Sequence, residues 1–416
     1  MNGKLCCLIV IATALSCKKP YNPPVPTIAT GYLVVEGVIN SGPDSTFIKL
    51  SRTVSIQTKN SINPELHAAV SVQGDQGFSY ALTEAGNGNY VCAGLNLDNT
   101  HSYRLSIKTA NNDQYLSDYA AVLNSPPIDS VSYDANGTVH SPGVNVYVNT
   151  HDPANKVVYY RWDYTEAWEI QSAFDSKYKS TGDTVVQRDL IHDDIHSCYL
   201  GDTSSTIILG STTALSRNVI ANAPIVSITS TDEKIYVEYS ILVKQYALNA
   251  DAYNFYNNLK KVTEELGSIF SAEPSQLDGN IHSVVNPAEP VIGYVCVGSI
   301  ASQRIFIKKE QVPVSWAPIP YYANCALFTD FKNMKNCCYY SAELYPGYDV
   351  NQVNLYINYD SNIFASSVIS QPVIPVDSIK LPSDRIIGDL LGFTAAMPEC
   401  VDCTLRATNK RPPFWK

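Results

Sequence analysis

The stretch STFIKLSRTVSIQ, residues 45–57, constrains this chain more than any other, because Ile48, Leu50, Val54 and Ile56 recur at even spacing with polar residues between them. A period of two turns one face of an extended strand into a core and the other toward water, whereas a helix needs a period near 3.6. The signature recurs in YLVVEGVIN before it. It recurs again from Val70 and Val72 through GDQG to Phe78, Tyr80 and Leu82, and in GNGNYVCAGL, SYRLSIKT and QYLSDYAAVL. Gly and Asp bound these runs, which marks tight hairpins. The reading is an immunoglobulin-like β-sandwich over residues 31–125, since six or seven short strands in that length is the count such a fold needs.

NSPPIDS, residues 124–130, marks a boundary, because Pro126 and Pro127 cannot continue a ladder. Beyond it, residues 126–416 read as a larger β-rich second domain. GVNVYVNTHDP and KVVYYRWDYTEAWEI form strands, the latter placing Val158, Tyr160, Trp162 and Tyr164 on one face. One helix is predicted over 249–266. Asn249 is its N-cap, Asp251 stands in its first turn, Gly267 follows its end, and Ala252, Phe255, Leu259, Val262 and Leu266 make an apolar stripe for packing on a sheet. Strand-like sequence resumes from Val291 to Ile307. The fold class is therefore mainly β, a sandwich followed by a β-rich domain with one packed amphipathic helix.

The opening MNGKLCCLIVIATALSCKKPY has one lysine and an apolar run from Leu5 to Leu15, too short to span a bilayer and suited to an export signal. ALSC ends it in the manner of a bacterial lipobox, with Ala14 where Leu is preferred, so residues 1–16 are expected to be removed and Cys17 to be diacylated. Two acyl chains give stable anchoring where one is marginal. Cys6 and Cys7 fall within the signal. Residues 17–30 carry the anchor and a tether with four prolines, and Lys18 and Lys19 favour the periplasmic face of the outer membrane over the cell surface.

A net charge of −10 without basic clusters argues against nucleic acid. HDDIH, residues 192–196, would bring His192 and His196 to one face of a helix as zinc peptidases do. Its surroundings lack a helical stripe, so a polar loop or strand end is the favoured reading and no metal or other cofactor is expected. His282 reads as a structural hydrogen-bonding histidine. There is no G-x-S-x-G elbow, phosphate loop or G-x-G-x-x-G turn, and catalytic residues are unknown.

The cysteines are more specific. Of eight beyond Cys17, five lie in the last quarter: Cys325, Cys337, Cys338, Cys400 and Cys403. In an exported chain such clustering reads as disulfides rather than a zinc or redox site. Joining the 325–338 segment to the C-terminal pair would contribute roughly 3 to 4 kcal/mol in the chain-entropy model. An odd number leaves a thiol over or draws in Cys92, Cys198 or Cys296. Trp415 is expected to pack the chain's end onto the second domain.

Taken in order, LVVEGVIN, IKLSRTV, YALTEAGNGNY, SPPIDSV, YYRWDYTEAWE, LNADAYNFYNNL, GNIHSVVNP, VIGYV and CVDCTLRATNKRPPFW resemble the Bacteroidetes outer-membrane lipoprotein family known as domain of unknown function 4249. Arg406-Ala407 stand where that family commonly has Gly-Gly. The resemblance implies an immunoglobulin-like or transthyretin-like N-terminal module and a place beside a TonB-dependent receptor, much as SusD-type lipoproteins serve their transporters. It brings no catalytic residues. The expectation is a lipid-anchored, non-enzymatic binding or accessory component in nutrient uptake, with Trp162, Trp168 and Trp316 as aromatic ligand-binding candidates. The alternatives are an exported hydrolase with its site between the two domains, and a purely structural envelope protein.

Overall fold

The structure, a computed structural model, describes residues 31–55, 63–135, 142–180, 185–264, 277, 279–316, 325, 374–380, 390–396 and 398–415. It is mainly β. The first unit opens with β1 (Leu33–Asn40), β2 (Thr46–Arg52), β3 (Ala69–Gly74), β4 (Ser79–Gly86), β5 (Asn89–Cys92), β6 (Ser102–Lys108), β7 (Gln114–Ser117) and β8 (Ala120–Ala121). Alternation works as the sequence requires: Ile48 and Leu50 are buried while Phe47 between Thr46 and Ile48 is 62% exposed. Strand β4 pairs with β3 through Leu82 and with β5 from Thr83 onward, so one strand serves both faces of the sandwich. Leu33, Val35, Ile48, Val72, Tyr90 and Leu105 meet in one core.

The second unit begins with β9 (Ile128–Asp134), β10 (Gly143–His151), β11 (Tyr159–Gln171), the short hairpin β12 (Tyr178–Ser180) and β13 (Val185–Gln187), and β14 (Ser197–Thr203). Then come β15 (Ile208–Ser211), β16 (Val219–Thr229) and β17 (Glu238–Leu248), followed by the helix Ala250–Glu264. A three-stranded sheet, β16-β10-β9, faces a sheet built from β14, β11, β15 and β17. Val144, Val146, Val148, Tyr160, Trp162, Tyr239, Ile241 and Val243 fill the space between them.

After the helix, chain order and spatial order part. β18 (Ile281–Ser283) pairs with β7, and β19 (Cys296–Gly298) lies parallel to β1, so residues 281–298, which chain order assigns to the second domain, extend the first sheet at both ends. The reason is apolar: Ile281, Val291, Val295 and Val297 are all buried in the first core. β20 (Ala301–Lys308) then pairs with β17 and returns the chain to the second unit. The chain crosses between units three times: outward near 124–127, back after the helix, and outward again near 298–301, the two outward crossings lying side by side. These two touch: Leu123 N donates to Val297 O, and Asn124 Oδ1 accepts from Ser41 Oγ at 2.7 Å and from Ser299 N at 2.9 Å. A Cβ on Gly298 would lie 1.9 Å from Leu123 O, so only glycine lets them run this close.

The first crossing is also tied inward. Gln245, fully buried, donates from Nε2 to Pro126 O at 2.9 Å and Thr150 Oγ1 at 3.1 Å, and accepts from Trp162 Nε1 at 2.9 Å. The helix supplies the other tie. Asn249 Oδ1 accepts from Ala252 N at 2.8 Å, the N-cap expected, and Ala252, Phe255 and Tyr256 bury a stripe against Tyr159, Leu209 and Tyr294. Its described residues end at Glu264, so Leu266 and Gly267 lie outside them. A last hairpin, β21 (Ile374–Lys380) and β22 (Leu390–Ala396), precedes the C-terminal segment.

Candidate functional site

The alternation that fills two cores leaves two outward sheet faces, and these oppose each other. On β1 and β2 the outward residues form direct cross-strand pairs, Glu36 with Lys49 and Val38 with Phe47. Glu36 Oε2 and Lys49 Nζ are 3.4 Å apart. On β11 and β17 the pairs are Arg161 with Tyr246 and Asp163 with Lys244. Between these walls lies a cleft of about 950 Å³, closed on another side by Phe255, Tyr256 and Leu259 of the helix and by Tyr294. Its edge beside Tyr294 is set by Gly293, whose φ of +151° brings the chain so near β1 that a Cβ would sit 2.3 Å from Val35 O.

Arg161 dominates the floor. Its guanidinium lies 4.4 Å from the ring centre of Tyr246 and 4.7 Å from that of Tyr256, both nearly buried. Burial opposes its charge, but Tyr256, Tyr246 and Asp163 outweigh burial and hold its pKa above the ordinary value. Both phenols are pushed up, chiefly by burial, with Asp163 adding to the rise at Tyr246 and Arg161 opposing it at Tyr256. They therefore act as neutral polar rings. The cleft combines an aromatic floor, an exposed Phe47 and charges of both signs, the mixture of apolar lining and few polar groups typical of small-molecule sites.

Of the three tryptophans singled out by sequence, Trp162 lines the cleft, and Trp168 and Trp316 are not among its lining residues. Trp162 is 1% exposed and stacks on Tyr160 at 5.8 Å. Trp168 is buried with Lys234 Nζ 4.8 Å over its ring, and Trp316 packs partly buried on the second core. Besides Trp162, the rings lining the cleft are Phe47, Tyr246, Phe255, Tyr256 and Tyr294. Beside Trp168, the buried Glu166 contacts Lys234 and accepts from Tyr239 OH at 2.7 Å, a paired carboxylate within the core.

HDDIH forms turns, not a helix. His192 Nδ1 meets Asp189 Oδ2 at 2.7 Å, while His196 Nδ1 meets Ser172 Oγ at 2.8 Å, so the two imidazoles have separate partners. Asp193 pairs with Lys179 and Arg188. His282 is exposed, 3.7 Å from Asp118. Among the described residues, no group of three or more His, Cys, Asp or Glu is placed to share a metal ion.

The C-terminal CVDC does not close on itself. Cys403 is bonded to Cys198 and Cys400 to Cys325. Cys17, Cys337 and Cys338 lie outside the described residues, and among those described Cys92 and Cys296 are free thiols. Thr408 forms a bridge with Tyr199, and Trp415 packs edge-on against Tyr199 and Phe306 while donating to Glu238 Oε2 at 2.9 Å. The end of the chain is thus fastened across the second sheet. At Arg406 φ is −133°, open to any residue, and its guanidinium reaches Glu233 at 2.6 Å, so this turn has no need of glycine there.

Sequence reading missed Arg161, Asp163, Lys244 and Tyr246. The signal was present in YYRWDYTEAWE: a strand with Tyr160 and Trp162 inward carries Arg161 and Asp163 outward, and an aromatic strand with two charges on its far face suggests a second surface to meet. Among known proteins, the model of a family described as a domain of unknown function (DUF4249) matches residues 18–304. No curated protein matches the chain.

Proposed function

The chain belongs to the DUF4249 family, whose model runs through every residue lining the cleft, and from that premise we propose that it is a lipid-anchored, non-enzymatic binding component of the outer membrane working beside a TonB-dependent receptor. The observation that carries the reading is the cleft itself. It is built from both units, and the two adjacent crossings, Gln245 and the helix hold its walls at a fixed spacing. A binding protein gains affinity from walls arranged before the ligand arrives. The export signal, lipobox and proline tether supply the location, and the family resemblance supplies the company.

A hydrolase would need carboxylates converging on one reacting bond. Of the three acids lining the cleft, Glu36 is engaged by Lys49 on one wall, Asp163 leans toward Arg161 on the other, and Asp44 is exposed. The test is recovery of the full-length, affinity-tagged chain from native membranes in mild detergent. A TonB-dependent receptor should co-purify; recovery of no outer-membrane partner sinks the accessory role. Cys17→Ser should move the chain from the membrane to the soluble fraction.

A further inference from the structure

The floor of the cleft holds a cation that its surroundings only partly neutralise. Arg161 Nε is shut off from solvent and has no hydrogen-bond partner. The carboxylate oxygen beside the guanidinium, Asp163 Oδ2, stands 3.7 Å from Nη2, well beyond the roughly 2.8 Å of a charge-assisted hydrogen bond. The other near neighbours are the rings of Tyr246 and Tyr256, which attract a cation through their faces but offer it no proton acceptor there. With Nε closed and rings over the guanidinium, its Nη edge is the part free to take a partner. One position along the same face, Lys244 lines the cleft and enters no ion pair among the described residues.

Neither of these two cations has an acid at hydrogen-bond distance among the described residues. Glu36 is paired with Lys49 on the opposite wall, Asp163 comes no nearer than 3.7 Å to Arg161 and forms no ion pair with Lys244, and Asp44, which also lines the cleft, is exposed. A cationic ligand would have to sit against Arg161. A neutral polyol would displace water from a guanidinium without supplying the negative charge that desolvation calls for. A carboxylate meets the Nη edge as a two-pronged acceptor, and the apolar surface nearby, Phe47 on one wall and the tyrosine floor on the other, accommodates a flat hydrocarbon body.

Resting on the reading of this cleft as a ligand site, we propose that its ligand is a small carboxylate with a flat apolar body, the carboxylate held by Arg161 with Lys244 beside it and the body lying between Phe47 and the Tyr246–Tyr256 floor. Free aromatic acids and the C-terminus of a short peptide share this chemistry.

The experiment is isothermal titration of the full-length chain in nanodiscs, with empty nanodiscs subtracted. The probes are 3-phenylpropionate and N-acetyl-Gly-Phe, each against its own primary amide. At least one acid should bind about tenfold or more tightly than its amide, as loss of a charged hydrogen-bond partner implies. The tighter acid tells free acid from peptide terminus. Arg161→Lys, shown to be folded by its melting profile, should weaken the acid by a similar factor and the amide by much less. Should that variant not fold, Lys244→Ala should weaken the acid several-fold. Acid affinity unchanged in the folded variant overturns the proposal. Equal binding of acid and amide removes the carboxylate while leaving a ligand cleft in place. No heat from any probe, with the receptor still co-purifying, removes the ligand cleft and leaves the accessory role.

Discussion

Gln245 shows how much a single amide can hold. It lies on β17 opposite Trp162, joins the indole of the second core to the proline pair of the first crossing, and has no exposed surface. Replacing it by Leu keeps the bulk but leaves Trp162 Nε1 and Thr150 Oγ1 without this partner. Unsatisfied buried groups cost about 1 to 3 kcal/mol each. Gln245→Leu should therefore lower stability by about 3 kcal/mol, read as a lower urea midpoint at unchanged slope. Cys296 bears on alkaline pH. It is only part-buried as a residue, yet burial around its sulfur pushes the thiol up to about 12, against the pull of Arg161. Tyr160 is likewise pushed up to about 12 by burial. Both groups keep a proton in the folded chain that the unfolded chain releases earlier. Their contribution is complete below the unfolded value and is lost as pH rises through the folded one. Between about pH 9 and 12, Cys296→Ala should flatten the fall in stability by about 1.4 kcal/mol per pH unit, measured by denaturant titrations across that window.

At the scale of elements, what could be read in advance was whatever depends on neighbours in sequence. The alternation of β2, the N-cap at Asn249 and the break at Pro126-Pro127 are all local, and all appear where the pattern puts them. Asn249→Ala should cost about 1 kcal/mol in thermal or chemical unfolding. Pairings over long separations were not legible. Cys198 could be named only as one of three possible extra partners, because its 205-residue separation from Cys403 is spanned by the fold and by nothing in the local sequence. Peptide mapping under non-reducing conditions should recover Cys198–Cys403 and Cys325–Cys400 cross-links. Replacing Cys198 and Cys403 together by Ala should cost up to about 5 kcal/mol in the chain-entropy model, measured against the intact protein under the same oxidising conditions. The cleft was hidden for the same reason. Arg161 and Asp163 sit on what looks like the wet face of β11, and only the position of β1 and β2 opposite makes that face a wall.

At the scale of the whole molecule, the two units are joined by ties of three kinds: adjacent crossings, a buried amide and an apolar helix stripe. Limited proteolysis should accordingly leave the 124–127 crossing intact under conditions that trim exposed loops, and early cutting there would show the ties to be weak. The return of residues 281–298 to the first sheet has a further consequence, which concerns time. During synthesis the N-terminal strands appear first, yet β1 and β7 each wait for a neighbour, and the first core waits for Ile281, Val291, Val295 and Val297. Until residue 298 has been made, two strand edges stand open to mispairing. The earliest part of this protein to be made is thus among the last to be finished, and a fragment ending at the proline pair should aggregate rather than fold.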